Sequence, residues 1–224
     1  MSDKKQKEAM MKKVKQVLVV GACVLFVILM ILSGMSSHWL NIFTVVKPGD
    51  TVVVDYTLYD ATGDPILTTN QQLAVKGNVT FSDQQLKMVA GQNTTQNITP
   101  VSIYTGNSGS ANQFALFSME YNAIDQALIG MKTGDQKHVQ IPGGSIAQLW
   151  SAESLNTSGI KLSDLRIGDL LPMAVSDQPE EMASNTSVTY SRIGEITKIT
   201  NESIVVDSGY PAADISIVSI NENS

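Results

Sequence analysis

The sequence predicts an α+β fold: an antiparallel sheet with short helices on one side, behind one N-terminal apolar span. Three observations predict it. Short β-branched and aromatic runs with partial alternation recur, most clearly over residues 51–59, 192–199 and 215–220. Residues 123–131 instead place Ile124, Ala127, Leu128 and Met131 at i, i+3, i+4 and i+7, one apolar helical stripe. Gly49-Asp50, Gly134-Asp135 and Gly168-Asp169 each precede a strand, as turns do where glycine takes a positive φ and aspartate bonds nearby backbone.

The N-terminus predicts an anchor. The first 16 residues hold six lysines against Asp3 and Glu8, and residues 17–35 carry no charge. At roughly 1.5 Å per residue that run matches a bilayer core. Trp39 follows at the level of an interfacial aromatic, and no lysine or arginine occurs between the run and Lys47. The positive-inside rule then puts the N-terminus in the cytoplasm and the remainder outside, as a single-pass protein of the cell membrane. Ser33-Gly34-Met35-Ser36-Ser37 is a poor cleavage site, so the span is expected to stay. The reading is a basic tail over 1–16, an anchor over 17–35 and a linker over 36–46.

Beyond the span, nine Lys and Arg stand against nineteen Asp and Glu, a net charge of −10. An acidic exterior speaks against nucleic acid as a partner. The single cysteine, Cys23, lies inside the apolar run, which excludes an intramolecular disulfide and a thiolate metal cluster. Asn78, Asn93, Asn97, Asn156, Asn185 and Asn201 head N-x-S/T tripeptides, all beyond the span, as suits an exported domain. His38 and His138 have no Cys, Ser or second His at a catalytic or zinc spacing, and no phosphate-binding or dinucleotide loop occurs. No metal and no cofactor is expected.

The elements follow in order. Residues 51–59 read as a strand, 60–65 as a turn around Gly63, and 66–68 as a short strand. Residues 70–113 are rich in Asn, Gln, Thr, Ser and Gly and hold two strand candidates, 86–89 and 101–104. The helix 123–131 takes Asn122 as N-cap, Asp125 in its first turn and Gly134 as left-handed cap. A strand over 138–141 comes next. Residues 146–155 read as a short helix, 163–165 as a turn and 170–175 as a strand. Residues 192–199 and 203–207 form a hairpin, and 215–220 is the last strand.

Val46–Thr69 (VKPGDTVVVDYTLYDATGDPILTT) and Tyr121–Pro142 (YNAIDQALIGMKTGDQKHVQIP) carry a family resemblance. Ile193-Gly194-Glu195-Ile196, Val205-Val206-Asp207 and Gly209-Tyr210-Pro211 extend it in the same order. Together they resemble FKBP-type peptidyl-prolyl cis-trans isomerases, in the SlyD-like branch where a β-rich insert associated with chaperone activity interrupts the domain before its last strand. The resemblance implies an FKBP-like domain over 47–145 and 209–221, with a long flap over 70–113 and the insert over 146–208. It implies partners that are unfolded or proline-containing polypeptide segments.

Prolyl isomerisation needs no nucleophile or metal. Uncatalysed X-Pro rotation takes tens to hundreds of seconds. A catalyst offers an apolar pocket for proline and donors for the displaced carbonyl, favouring the twisted amide. The resemblance places the pocket at Tyr56, Ile66, Leu67, Tyr121 and Ile124, and client binding by the insert at Leu155, Ile160, Leu162 and Leu165. Leu67 stands where the family has aspartate, Ile124 where it has an aromatic, and no tyrosine follows Pro142 in the Gly143-Gly144-Ser145-Ile146 stretch. Phe114, Phe117, Trp150 and Tyr210 are the aromatics that could rebuild a wall. The expectation is an extracytoplasmic folding factor acting on X-Pro bonds, or a non-catalytic holdase or cell-envelope binding ectodomain on the same scaffold. An open cleft beside the helix favours the isomerase or the holdase, and a cleft filled by Leu67 and Ile124 favours the cell-envelope ectodomain.

Overall fold

The computed structural model describes residues 15, 17–30, 44–104, 112–177 and 188–221. Residues 17–30 are helical, and their Val, Leu, Ile and Phe side chains are exposed all round. Among the described residues no helix is long and apolar enough to cross a membrane. The rest of the expected anchor, 31–35, and most of the tail and linker lie outside the described residues. Residues 44–224 form a separate compact unit.

The described residues of that unit are α+β, with two six-stranded sheets. The first contains β1 (Thr51–Tyr59), β2 (Pro65–Thr68), β3 (Thr80–Phe81), β4 (Leu86–Val89), β7 (Gln136–Gln140) and β12 (Ala212–Ile220). The second contains β5 (Ile98–Ile103), β6 (Asn112–Phe117), β8 (Ala147–Ser151), β9 (Leu170–Val175), β10 (Tyr190–Ile199) and β11 (Ser203–Asp207). Among the described residues of the unit three α-helices accompany them: α1 (Gln71–Gly77), α2 (Ser118–Leu128) and α3 (Ala152–Thr157).

β12 returns late in the chain and inserts between β1 and β7, antiparallel to both. Alternation fixes its face: Ala213, Ile215 and Ile217 point inward, while Asp214 and Val218 point out. The same period puts Val52, Val54, Tyr56 and Leu58 of β1 inside. α2 buries Ile124, Ala127 and Leu128 in this core, and β5 and β6 add Val101, Ile103, Phe114 and Leu116. A smaller core in the second sheet gathers Leu155, Leu171, Ile196, Ile204 and Val206.

Several expectations change. The sheets are not purely antiparallel, because β2 pairs β3 and β6 pairs β10 in parallel. β8 to β11 all fall within 146–208, but the second sheet also takes β5 and β6. Residues 147–151 form β8 rather than a helix, because their backbone pairs with β11 from Ser151↔Ser203 to Ala147↔Asp207. The helix begins only after Ser151, whose Oγ accepts the Ser154 N–H. α2 starts at Ser118, not after Asn122, because the Glu120 carboxylate reaches back to the Phe117 N–H at 2.9 Å. Asn122 instead accepts from Thr94 N–H. α2 stops at Leu128, and Gly130 reverses the chain at φ 86°. Gly134 belongs to the next turn.

The three Gly-Asp turns match their sequence reading. Gly49, Gly134 and Gly168 have φ of 93°, 85° and 90°. Asp50, Asp135 and Asp169 each accept the N–H three residues back, from Lys47, Lys132 and Arg166.

Candidate functional site

The structure brings the expected pocket residues together and closes the space between them. Leu58 of β1 faces Leu67 of β2, and cross-strand partners share a face, so Leu67 lies diagonal to Tyr56 on the inner side. Leu67 and Ile124 are fully buried, and Tyr56 and Ile66 nearly so, all within one core cluster. Tyr121 is half-buried against it. The cleft beside α2 is packed core rather than an open pocket.

One polar defect lies in this core. The Tyr56 hydroxyl is buried with no hydrogen-bond partner. Ser82 acts on the phenol, but its Oγ serves the Ser102 and Gln84 carbonyls. Burial pushes the phenol up to about 12. Leucine at 67 offers it no acceptor.

Three of the four candidate aromatics do assemble, around a side chain the sequence did not single out. Arg192 of β10 is fully buried. Its guanidinium carbon lies 3.8 Å from the Tyr210 ring centroid, 4.1 Å from Phe117 and 5.5 Å from Phe114. Nε donates to the Ser208 carbonyl at 2.8 Å, and Nη1 to the Ala115 carbonyl at 2.6 Å. Both terminal nitrogens bond the Glu120 carboxylate, a bidentate pair. Burial opposes the guanidinium charge, but Glu120 beside it holds the pKa above the ordinary value. The Tyr210 hydroxyl donates to the Ile193 carbonyl at 2.8 Å, and burial raises its pKa. This cage ties β6, β10, α2 and the lead-in to β12 together. An aromatic-walled space exists, and Arg192 occupies it. Nothing in the spacing of Glu120 and Arg192, 72 residues apart, announces their pairing.

The insert residues divide. Leu155 is fully buried in the small core, so it serves packing. Ile160, Leu162 and Leu165 lie half-buried against that core and keep some surface. Trp150, the fourth candidate aromatic, packs there too and contributes nothing to the cleft.

β8 terminates the second sheet, and among the described residues no strand pairs its outer side. The other edges are guarded. β5 carries Pro100 and β9 carries Pro172, β7 carries Lys137 and His138, β4 carries Lys87, and β3 has two residues. β8 reads AQLWS, without proline or charge, and its Leu149 is 73% exposed.

A second polar defect lies where the β1–β2 turn approaches the second sheet. Glu195 is buried with Oε2 unpartnered. Burial raises its pKa, and the charges of Asp60, Asp207 and Asp64 raise it further. Asp207 is satisfied by the N–H groups of Ile146 and Gly209 and by Ser145 Oγ. Among the described residues no group of three or more His, Cys, Asp or Glu could hold a metal ion.

Compared with known proteins, the chain matches no family model and no curated protein.

Proposed function

We propose that this chain is a membrane-anchored, extracytoplasmic holdase that binds extended polypeptide segments without isomerising X-Pro bonds. The filled cleft carries the non-catalytic half of the reading and also removes the cleft as a client site, so the binding half rests on the unguarded edge of β8. Leu67 and Ile124 are fully buried, and the neighbouring aromatic space is taken by the Arg192–Glu120 pair. Catalysis of prolyl rotation requires a vacant apolar pocket that favours the twisted amide. Emptying this one means breaking a buried ion pair, which costs about 3–5 kcal/mol when one partner is lost.

Client binding is assigned to the free edge of β8. An unguarded edge presents unpaired N–H and C=O groups to any extended chain, and pockets for alternate side chains supply selectivity. Exposed Leu149 and the half-exposed Ile160, Leu162 and Leu165 supply apolar surface on the same module. The anchor reading rests on the uncharged run 17–35 and on the apolar exposure around residues 17–30, a pattern that needs a lipid or protein surround.

The test uses the full-length chain in phospholipid nanodiscs. Prolyl cis/trans exchange on a short X-Pro peptide, followed by NMR, is expected to proceed at the uncatalysed rate. Aggregation of a reduced, unfolded reporter protein is expected to slow. Accelerated exchange would overturn the non-catalytic reading, and unchanged aggregation would overturn the holdase reading.

A further inference from the structure

The outer face of the first sheet carries an ordered polar grid. Register sets Asp55, Thr57 and Tyr59 of β1 opposite Ser216, Asp214 and Ala212 of β12. These in turn lie opposite Gln136, His138 and Gln140 of β7. Cross-strand partners share a face, so three rows of side chains run across three strands. Asn70 and Leu73 at the start of α1 help wall the surface into an open groove of about 520 Å³. That volume falls within the range of small-ligand sites, about 300–1,000 Å³.

Asp214 holds the grid in one arrangement. Its Oδ2 accepts from the Tyr59 hydroxyl at 2.7 Å, and its Oδ1 bonds His138 Nδ1 at 2.7 Å. The other imidazole nitrogen meets the Gln140 amide at 2.9 Å. The two rings are thereby fixed with centroids 6.3 Å apart and planes inclined by 49°. Burial, with Asp214 alongside, pushes the Tyr59 hydroxyl up to about 12, so it stays a neutral donor. The Gln136 amide and the Ser216 hydroxyl, by contrast, have no partner among the described residues and are free to bond a ligand.

We propose that this groove binds a neutral pyranose unit of an oligosaccharide. A sugar ring presents hydroxyls around its rim and C–H groups on its faces. The uncommitted amide and hydroxyl match the rim, and the fixed faces of Tyr59 and His138 match the C–H surface. Among the described residues lining the groove the one ammonium, on Lys137, is bonded to the Ala127 carbonyl at 3.1 Å, which leaves an anionic ligand little counter-charge. The Asp214 carboxylate is already held by two donors and the Asp55 carboxylate by the Gln85 amide at 3.0 Å, which lowers what a cationic ligand gains from either. Rings and carboxylate are set before binding, so little ordering cost remains. The site shares no residue with β8, and the proposal stands apart from client binding.

Calorimetric titration of the full-length chain in a detergent without a sugar headgroup tests this. Maltotriose and chitotriose are the neutral probes, and spermidine is the cationic one. At least one trisaccharide is expected to bind saturably, with Kd on the order of 1 mM. Gln136→Ala with Ser216→Ala is expected to weaken it at least tenfold, and Tyr59→Phe, which frees the ring from Asp214, to weaken it as well. Circular dichroism of each variant is expected to match the parent. Saturable binding of spermidine alone, binding of no probe, or trisaccharide binding indifferent to these substitutions would each overturn the proposal.

Discussion

Two buried oxygens without partners set the predictions made at the scale of residues. The Tyr56 hydroxyl pays desolvation and receives no hydrogen bond. Tyr56→Phe removes that cost and keeps the ring, so urea unfolding is expected to show stability unchanged or raised by about 1 kcal/mol. A loss beyond that would mean the phenol has a bonded partner. Glu195 is the second case. Its folded pKa lies above the ordinary value of 4.5, through burial and then the Asp60, Asp207 and Asp64 charges. The native state therefore holds the proton more tightly than the unfolded chain. The resulting penalty is absent at pH below the ordinary value, grows as pH rises through the folded pKa, and is constant above it. Glu195→Gln is expected to raise Tm at pH 7 and to leave it nearly unchanged at pH 4. An equal gain at both would show that charge is not the cause. At Arg192 the sign reverses. Arg192→Met leaves Glu120 buried and unpaired, and a loss of about 3–5 kcal/mol is expected in urea.

At the scale of elements, the two sheets depend on one close crossing of backbone and one open edge. The chain leaves β7 through Gly144 and returns to β12 through Gly209, and these glycines touch. A Cβ on Gly209 would overlap the Gly144 carbonyl, and one on Gly144 would overlap the Tyr210 carbonyl. Neither neighbour is a flexible side-chain end. Gly209→Ala is expected to lower the unfolding midpoint strongly, whereas Gly63→Ala, with open space but φ 89°, is expected to cost only about 1 kcal/mol. The edge of β8 bears on function. Leu149→Lys introduces the charge that β4 and β7 already carry, and it is expected to reduce suppression of reporter aggregation without a change in Tm. Full suppression by that variant would place client binding elsewhere.

For the whole molecule, strands announced themselves and partners did not. The alternation at 51–59 and 215–220 was legible because each strand has one wet face and one dry one, and period two records that asymmetry. Gly49, Gly134 and Gly168 were legible because a left-handed turn has few chemical solutions. β8 was misread as helix because AQLWS has neither period, and pairing with β11 decided its conformation. α1 went unread although Asn70 caps it through the N–H groups of Gln72 and Leu73, since a two-turn helix is too short for a periodic stripe. By itself, then, the sequence determined the α+β class, most strand positions and the uncharged N-terminal run. Only the tertiary structure decided that the cleft is full, that Arg192 and Glu120 meet inside it, and that Tyr59, Asp214 and His138 share an outer face. The physical reason is distance along the chain: local order depends on neighbours a few residues away, while Arg192–Glu120 and His138–Asp214 join residues 72 and 76 apart.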